Sequence, residues 1–381
     1  MRPLVFFTFL WSIPLFGQVV DVNMYTQMNG VLELPDGALT NFWGYGLNGG
    51  PLTFPAPLLE FNYGDTVNIR VQNPSPESHT IHLHGLDVDQ ANDGVPQTSF
   101  FIPFGGIGSY SFVADEPGTF LYHCHVTTTL HLTMGMYGML VVKYPGDLLF
   151  QNGPHYEEEY HFLASDLEVR INDEPMQSLP FHLIYPDHFM VNGLAGSQIE
   201  MDTTMQIVAE AGQNIALRLG SMAYSKVKFI FPSGSNAMVH MSDGRPLPTS
   251  YLVNELEVYP GERFTVVMSP NSNMQGDIEV QYFNMRNKEF LASNFIPVKI
   301  SENASNTNGT ISPNPATESI TLHVTEAQEE FSWYTYDGKL IARYRLPKGE
   351  HIIDLRGFSS GYYLITSDLG STYKLVIGSI K

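Results

Sequence analysis

Short runs of alternating apolar and polar residues recur along the chain, as in Thr66-Val-Asn-Ile-Arg-Val71, Gly108-Ser-Tyr-Ser-Phe-Val113 and Phe264-Thr-Val-Val-Met268. Gly, Pro, Asn and Asp separate them, and no long stretch carries the 3.6-residue period of an amphipathic helix. The pattern predicts short strands and many turns, an all-β chain of sandwiches or Greek-key barrels. Its length of 381 residues predicts two or three domains.

Breaks in the pattern divide the chain. Residues 1–17 begin with Arg2, continue as an apolar run from Pro3 to Phe16 and reach a small residue at Gly17, which predicts a cleaved signal peptide. The run is shorter than the roughly 20 apolar residues a spanning helix needs. No later segment qualifies, so no membrane span is expected. Residues 18–147 form a first β-domain leaving through Tyr144-Pro-Gly-Asp147, and residues 148–300 form a second. Residues 301–310, Ser-Glu-Asn-Ala-Ser-Asn-Thr-Asn-Gly-Thr, have almost nothing to bury and read as a linker. Residues 311–381 are a small β-unit.

Composition narrows the partners. With 39 acidic and 19 basic residues the formal charge is −20, which argues against nucleic acid and anionic membranes. Gly and Pro together number 33 + 25 = 58 and Tyr and Phe 20 + 24 = 44, as turn-rich strands require.

The chemistry is concentrated in the first domain. Cys124 is the only cysteine, and it stands between two histidines in Tyr122-His123-Cys124-His125. A second cluster, His79-Thr-Ile-His82-Leu-His84-Gly85, lies about forty residues earlier. A lone thiol in an exported chain has no disulfide partner and needs another occupation. Thiolate and imidazole suit copper, and two His with one Cys and a weak axial Met make a blue-copper centre. Further donors follow in His131-Leu-Thr-Met134-Gly-Met136. Residues i and i+2 of a strand share a face, so His82 and His84 project together, as do His123 and His125, while Cys124 faces away. One peptide step would then join two metal groups.

These residues resemble the multicopper oxidases, the laccase-type family of cupredoxin domains. The resemblance is carried by Asn62-Tyr-Gly-Asp65, by residues 79–85, by Asp93-Gly-Val-Pro-Gln-Thr98 and by Pro117-Gly-Thr-Phe-Leu-Tyr-His-Cys-His125. In the second domain, Met190-Val-Asn-Gly193, Ser242-Asp-Gly-Arg-Pro-Leu247 and Tyr259-Pro-Gly-Glu-Arg-Phe264 are similar to the family's copper-free cupredoxin domain. The resemblance implies two cupredoxin-like Greek-key barrels, with type 1 copper held by His79, Cys124, His131 and axial Met136. Met134 is the alternative axial residue. It also implies that His82 binds type 2 copper, that His84, His123 and His125 bind the type 3 pair, and that Asp93 delivers protons to reduced oxygen. Thr129 stands where the family's second type 1 histidine is expected, and His131 lies two residues later, so the ligand loop Val126 to Leu130 is longer.

The family's three-copper cluster takes eight histidines, and this chain supplies four. His155, His161, His182, His188 and His240 of the second domain are isolated and read as structural or surface residues. A homodimer with two first domains facing each other would bring 4 + 4 = 8 ligands. The implied function is oxidation of a small reducing substrate, a phenol or a metal ion, coupled to reduction of dioxygen to water. A mononuclear type 1 electron carrier is the alternative. A copper nitrite reductase fits less well, because it would place a catalytic Asp where His82 stands.

The last segment resembles the C-terminal sorting domain of type IX secretion, a small β-sandwich, in Ser312-Pro-Asn-Pro-Ala316, Tyr336-Asp-Gly-Lys-Leu340, Ile353-Asp-Leu-Arg-Gly-Phe358 and Ser360-Gly-Tyr-Tyr-Leu364. It implies the type IX machinery as a partner and export across an outer membrane, with secretion or surface attachment.

Overall fold

The computed structural model describes residues 17–47, 49–177, 181–301, 311–312, 316, 318–335, 339–359, 361–368 and 372–377. The signal peptide expected at residues 1–17 lies, apart from Gly17, outside the described residues, as does nearly all of the 301–310 linker. The chain divides into two compact units, residues 1–300 and 301–381.

The alternation read from the sequence becomes two four-stranded sheets at the start of the first unit. One takes β1 (Val19–Glu33), β2 (Leu39–Leu47), β4 (Thr66–Gln72) and β6 (Ile107–Val113) in the order β2-β1-β4-β6. The other takes β3 (Leu59–Asn62), β5 (His82–His84), β7 (Gly118–His123) and β8 (Tyr137–Lys143) in the order β3-β8-β7-β5. β1 pairs parallel with β4 and β3 parallel with β8, while the other neighbours are antiparallel, which is the crossed connectivity of a Greek key. In β4 and β6 every second residue is buried, and Val67, Ile69, Val71, Tyr110 and Phe112 meet Phe61, Leu83, Phe120, Tyr122 and Leu140 from the facing sheet.

β7 breaks the alternation, since all six of its residues are buried. Phe120 and Tyr122 face the core between the sheets, whereas Leu121, with Tyr137, Met139 and Val141 of β8, packs on Leu163, Leu167 and Met190 of the chain beyond residue 147. Burying a large apolar side chain contributes about 1.5–3 kcal/mol. A strand covered on both faces is held firmly, and β7 carries His123 and Cys124 at its end.

The rest of this unit repeats the plan with larger sheets. β9 (Glu158–Leu167), β10 (His188–Val191), β12 (Ile215–Ser221), β14 (Met238–Ser242), β15 (Arg245–Leu252) and β17 (Arg263–Met268) form one, ordered β10-β9-β12-β17-β14-β15. β13 (Lys226–Ile230), β16 (Glu255–Val258), β18 (Ile278–Phe283) and β19 (Phe290–Ile296) form the other, and β11 (Ile207–Glu210) pairs with β20 (Val298–Ser301). The described α-helices are single turns of five or six residues, and none is long and apolar enough to cross a membrane.

In the second unit, β21 (Ile311–Ser312), β22 (Ser319–Thr335), β23 (Leu340–Asp354), β24 (Gly361–Ser367) and β25 (Thr372–Ile377) make one sheet. Its long strands shift register between Val324 and Gln328, and its buried face gathers Ile320, Leu322, Phe331, Trp333, Ile365 and Leu375.

Candidate metal centre

β5 and β7 lie side by side with His82 opposite His123 and His84 opposite Leu121. On one face, His84 Nδ1 is 3.1 Å from His123 Nε2, and ligand atoms of His82, His84 and His123 all fall within 4.8 Å of one another. His125 continues beyond the strand, its ring stacked 5.9 Å from that of His123 and edge-on at 5.3 Å to that of His82. It stands beside the tight trio rather than in it, its Nδ1 lying 3.4 Å from Thr128 Oγ1.

Cys124 points the other way. Its Sγ is 3.1 Å from His131 Nδ1 and 3.7 Å from His79 Nδ1, and all three side chains are fully buried. His79 is fixed by a two-way backbone bridge to Ile102. His131 arrives on a helical turn, α1 (Thr128–Thr133), entered through Thr127 at φ +42°. The longer ligand loop expected at Val126 to Leu130 thus closes as a turn of helix that returns His131 to the thiol. Met136 is bound into the same loop, its N–H donating to His131 O at 3.0 Å and its carbonyl accepting from Cys124 N–H at 3.0 Å. The Met134 carbonyl instead accepts from Trp43 N–H at 2.8 Å. Both methionines are buried, and these bonds place Met136 between two candidate ligands.

Donors held about 2.0–2.3 Å from one ion sit about 3–4 Å apart; the Cys124 sulfur has that spacing to both of its histidines and His84 has it to His123, with His82 within 4.8 Å of that pair. The titrations also suit ligation. Burial pushes the His79 imidazole down to about 3, with His131 beside it adding to the effect, and burial followed by its histidine neighbours takes His123 to about 3. His84 falls to about 4 through burial and then the positive charge of Arg263. Such rings are neutral, with a nitrogen lone pair to give. His79 turns Nδ1 toward the Cys124 sulfur, and its Nε2 is buried without a hydrogen-bond partner. Burial raises the Cys124 thiol, a balance that a cation at its sulfur reverses. The soft thiolate with two imidazoles and a nearby thioether fits copper.

Second contacts orient the rings. His82 Nδ1 donates to the Asp93 carbonyl at 2.7 Å and lies 3.3 Å from its carboxylate, which leaves Nε2 for a metal. His123 Nδ1 donates to Cys124 O at 3.0 Å in the same manner. Glu77 Oε2 stands 3.2 Å from His131 Nε2, a partner the sequence did not suggest, because a glutamate between Pro76 and Ser78 reads as an ordinary solvated residue.

The part of the chain beyond residue 147 reaches the histidine group with a cation. Arg263, buried, donates from Nη1 to Gly261 O at 2.8 Å and pairs with Asp243 at 3.0 Å. Its Nη2 would lie 2.1 Å from any Cβ on Gly85, which sits at φ +94° directly after His84. Gly118 likewise lies so close to Gly244 that a Cβ would meet its backbone at 2.8 Å. The five histidines of this part stay outside both groups. His188 lies 3.0 Å from Asp187, His240 2.8 Å from Ser250 and His155 3.7 Å from Glu157. His182 is in the turn Phe181–Leu183. His161 approaches Glu60 and Glu159, but Lys143 Nζ already holds those carboxylates at 2.6 and 2.8 Å and Arg218 holds Glu159 at 2.8 Å. That group is a neutralised ion network.

Comparison with known proteins agrees with this geometry. Residues 35–147 match the family model of the multicopper oxidase domain, and residues 310–377 match that of the secretion system C-terminal sorting domain. Laccase-2 of Cryptococcus neoformans var. grubii is 28% identical over 246 residues, 58% of this chain and 40% of that protein. Copper resistance protein A of Pseudomonas syringae pv. tomato is 40% identical over 98 residues, 26% of this chain and 15% of that one. Among solved structures, the multicopper oxidase mgLAC superposes with a TM-score of 0.61 at 24% identity, covering 74% of this chain and 87% of the other. The chain thus spans less than half the length of these curated relatives. Near its start it matches the multicopper oxidase domain and at its end the secretion sorting domain, in a cupredoxin-like all-β fold, and copper is the metal of the matched oxidase family.

Proposed function

We propose that the chain is an exported copper-dependent oxidoreductase of laccase type, which takes electrons singly from a small reducing substrate and delivers four of them to dioxygen, with four protons, to give two waters. Copper supplies one-electron redox chemistry at the His79, Cys124 and His131 group and oxygen-binding chemistry at the histidine group. The observation that carries the reading is the single peptide step between Cys124, whose sulfur faces His131, and His123, whose ring faces His84.

This chain's residues have separable tasks. His79 and His131 bring imidazole to the thiol, with Met136 as the axial donor. His82, His84, His123 and His125 supply half of a three-copper cluster. Asp93, touching His82, is placed to pass protons toward reduced oxygen. The other half-cluster comes from a second copy. Arg263 fills the space beside His84, whereas the His82 side chain is 19% exposed, so a partner presenting the same histidines would approach from the His82 and His125 side. The sorting domain supports delivery by a secretion system to the outside or the cell surface.

The alternative is a type 1 electron carrier, favoured by the tight grouping of three histidines rather than four and by the cation beside them. Anaerobic reduction of the copper-loaded protein followed by reoxidation with dioxygen separates the two. Rapid reoxidation with four electrons consumed per dioxygen and no peroxide released supports the oxidase. Slow reoxidation with peroxide release supports the carrier.

A further inference from the structure

We propose that Arg263 is a positioning residue that sets the charge at the histidine group: its guanidinium, supplied by the part of the chain beyond residue 147, biases copper held by His84 and His123 toward the cuprous state, and Asp243 opposes it. The inference rests on the copper reading above and adds how this half-cluster is tuned by a second domain that gives it no ligand.

Arg263 opens β17, and its side chain, 4% exposed, reaches Gly85 directly after His84. Nη2 comes so near only because Gly85 has no side chain. Gly261, whose carbonyl accepts from Nη1 at 2.8 Å, lies against the ligand ring itself, since a Cβ on it would be 3.3 Å from His84 Cε1. Asp243 fixes the arginine through three contacts. Its Oδ1 accepts from Arg263 N–H at 3.2 Å and meets Nη1 at 3.0 Å, and its own N–H donates to Arg263 O at 2.7 Å. The chain turns at Asp243, φ +47°, into Gly244, which packs so closely on Phe120 that a Cβ would be 2.3 Å from its ring. The cation is thereby fastened to β7, the strand that carries His123.

A guanidinium stays protonated and has no lone pair to give, so Arg263 cannot be a ligand and acts on copper only through its charge. Among the described residues its Nε–H is buried without a hydrogen-bond partner, and an incompletely satisfied buried cation is a poor device for stability alone. The two charges are screened unequally. The Asp243 side chain is 50% exposed and water weakens its field, whereas the guanidinium acts from the low-dielectric interior. A fixed positive charge raises the energy of a doubly charged ion more than that of a singly charged one. The net effect favours Cu(I) over Cu(II) at His84 and His123, and so favours the step that brings an electron across from Cys124.

The test measures the ratio of cuprous to cupric affinity at the histidine group by competition with a chelator specific for each ion, in the full chain carrying Cys124→Ser so that only this group is read. Adding Arg263→Gln lowers the ratio on the order of tenfold, as expected for one buried unit charge at an effective dielectric of about 20. Arg263→Lys restores most of it. Asp243→Asn, which keeps an acceptor for Nη1 and removes the negative charge, raises the ratio by a smaller factor. Shifts of opposite sign are what a charge effect requires and a packing effect does not give. A ratio unchanged in both variants, with the two affinities falling in parallel, or a ratio moved the same way in both, overturns the proposal and leaves Arg263 as scaffold. Should Arg263→Gln fail to fold, Asp243→Asn at its half-exposed turn still decides, and a ratio that does not rise overturns the proposal. A parent chain whose histidines take up neither ion would instead sink the copper reading itself, and this inference with it.

Discussion

Cys124 and His123 are neighbours in the chain and fall in different groups of candidate metal ligands: Cys124 Sγ lies 3.1 Å from His131 Nδ1, and His123 Nε2 lies 3.1 Å from His84 Nδ1. Opposite side-chain directions at successive strand residues produce this division, and burial of β7 on both faces fixes it.

Cys124→Ser separates the groups chemically. The hydroxyl fits the same space but is a poor copper ligand, so the blue charge-transfer band disappears and phenol oxidation falls below detection. The histidine group still takes up copper, seen as a paramagnetic resonance signal without the narrow splitting of a thiolate site. A retained blue band would remove Cys124 from the centre.

Asp93→Ala leaves the main-chain carbonyl that accepts from His82 and deletes the carboxylate 3.3 Å away. Removing such an outer partner costs 10- to 100-fold, and with the carbonyl kept the loss of copper affinity at the histidine group should be about tenfold. The blue band is unaffected. Titration with a copper chelator, followed at both signals, measures this.

Gly85→Ala tests how Arg263 supports the site. The new Cβ would be 2.1 Å from Arg263 Nη2 at φ +94°, and displacing the guanidinium while straining the backbone costs about 1–3 kcal/mol. Thermal unfolding should show a lower midpoint, and His84 should lose metal affinity along with it.

Glu159→Gln leaves the fully buried Arg218 without its carboxylate and should cost about 3–5 kcal/mol. Burial would raise the Glu159 carboxyl, but Arg218 and Lys143 more than offset it, and the group titrates below its ordinary 4.5. Its folded value being depressed, the stabilisation is complete above about pH 4.5 and is lost as pH falls through the lower folded value. Between pH 6 and 3 the melting temperature of the wild type should therefore drop more steeply than that of the variant.

The histidine and cysteine positions were legible because strand period two and motif spacing both act over a few residues. The all-β class followed from runs such as 66–71 and 108–113 for the same reason. What escaped the sequence depends on distant partners. Arg263 reaches His84 across nearly 180 residues, and Lys143 joins Glu60 and Glu159 from three strands. Glu77 gains its meaning only when α1 turns His131 back toward it. The segment Thr127-Thr-Thr-Leu-His131 has weak helix propensity, and closure onto the buried thiol, rather than that propensity, sets its shape.

The central claim is that electrons collected at Cys124 reach a three-copper cluster shared between copies. Copper content per chain, determined together with oligomeric mass and the visible spectrum, tests it most directly. Two blue sites and one shared cluster in a dimer predict about 2.5 coppers per chain with a blue band. A monomer with about one copper per chain and only the blue band would contradict the account.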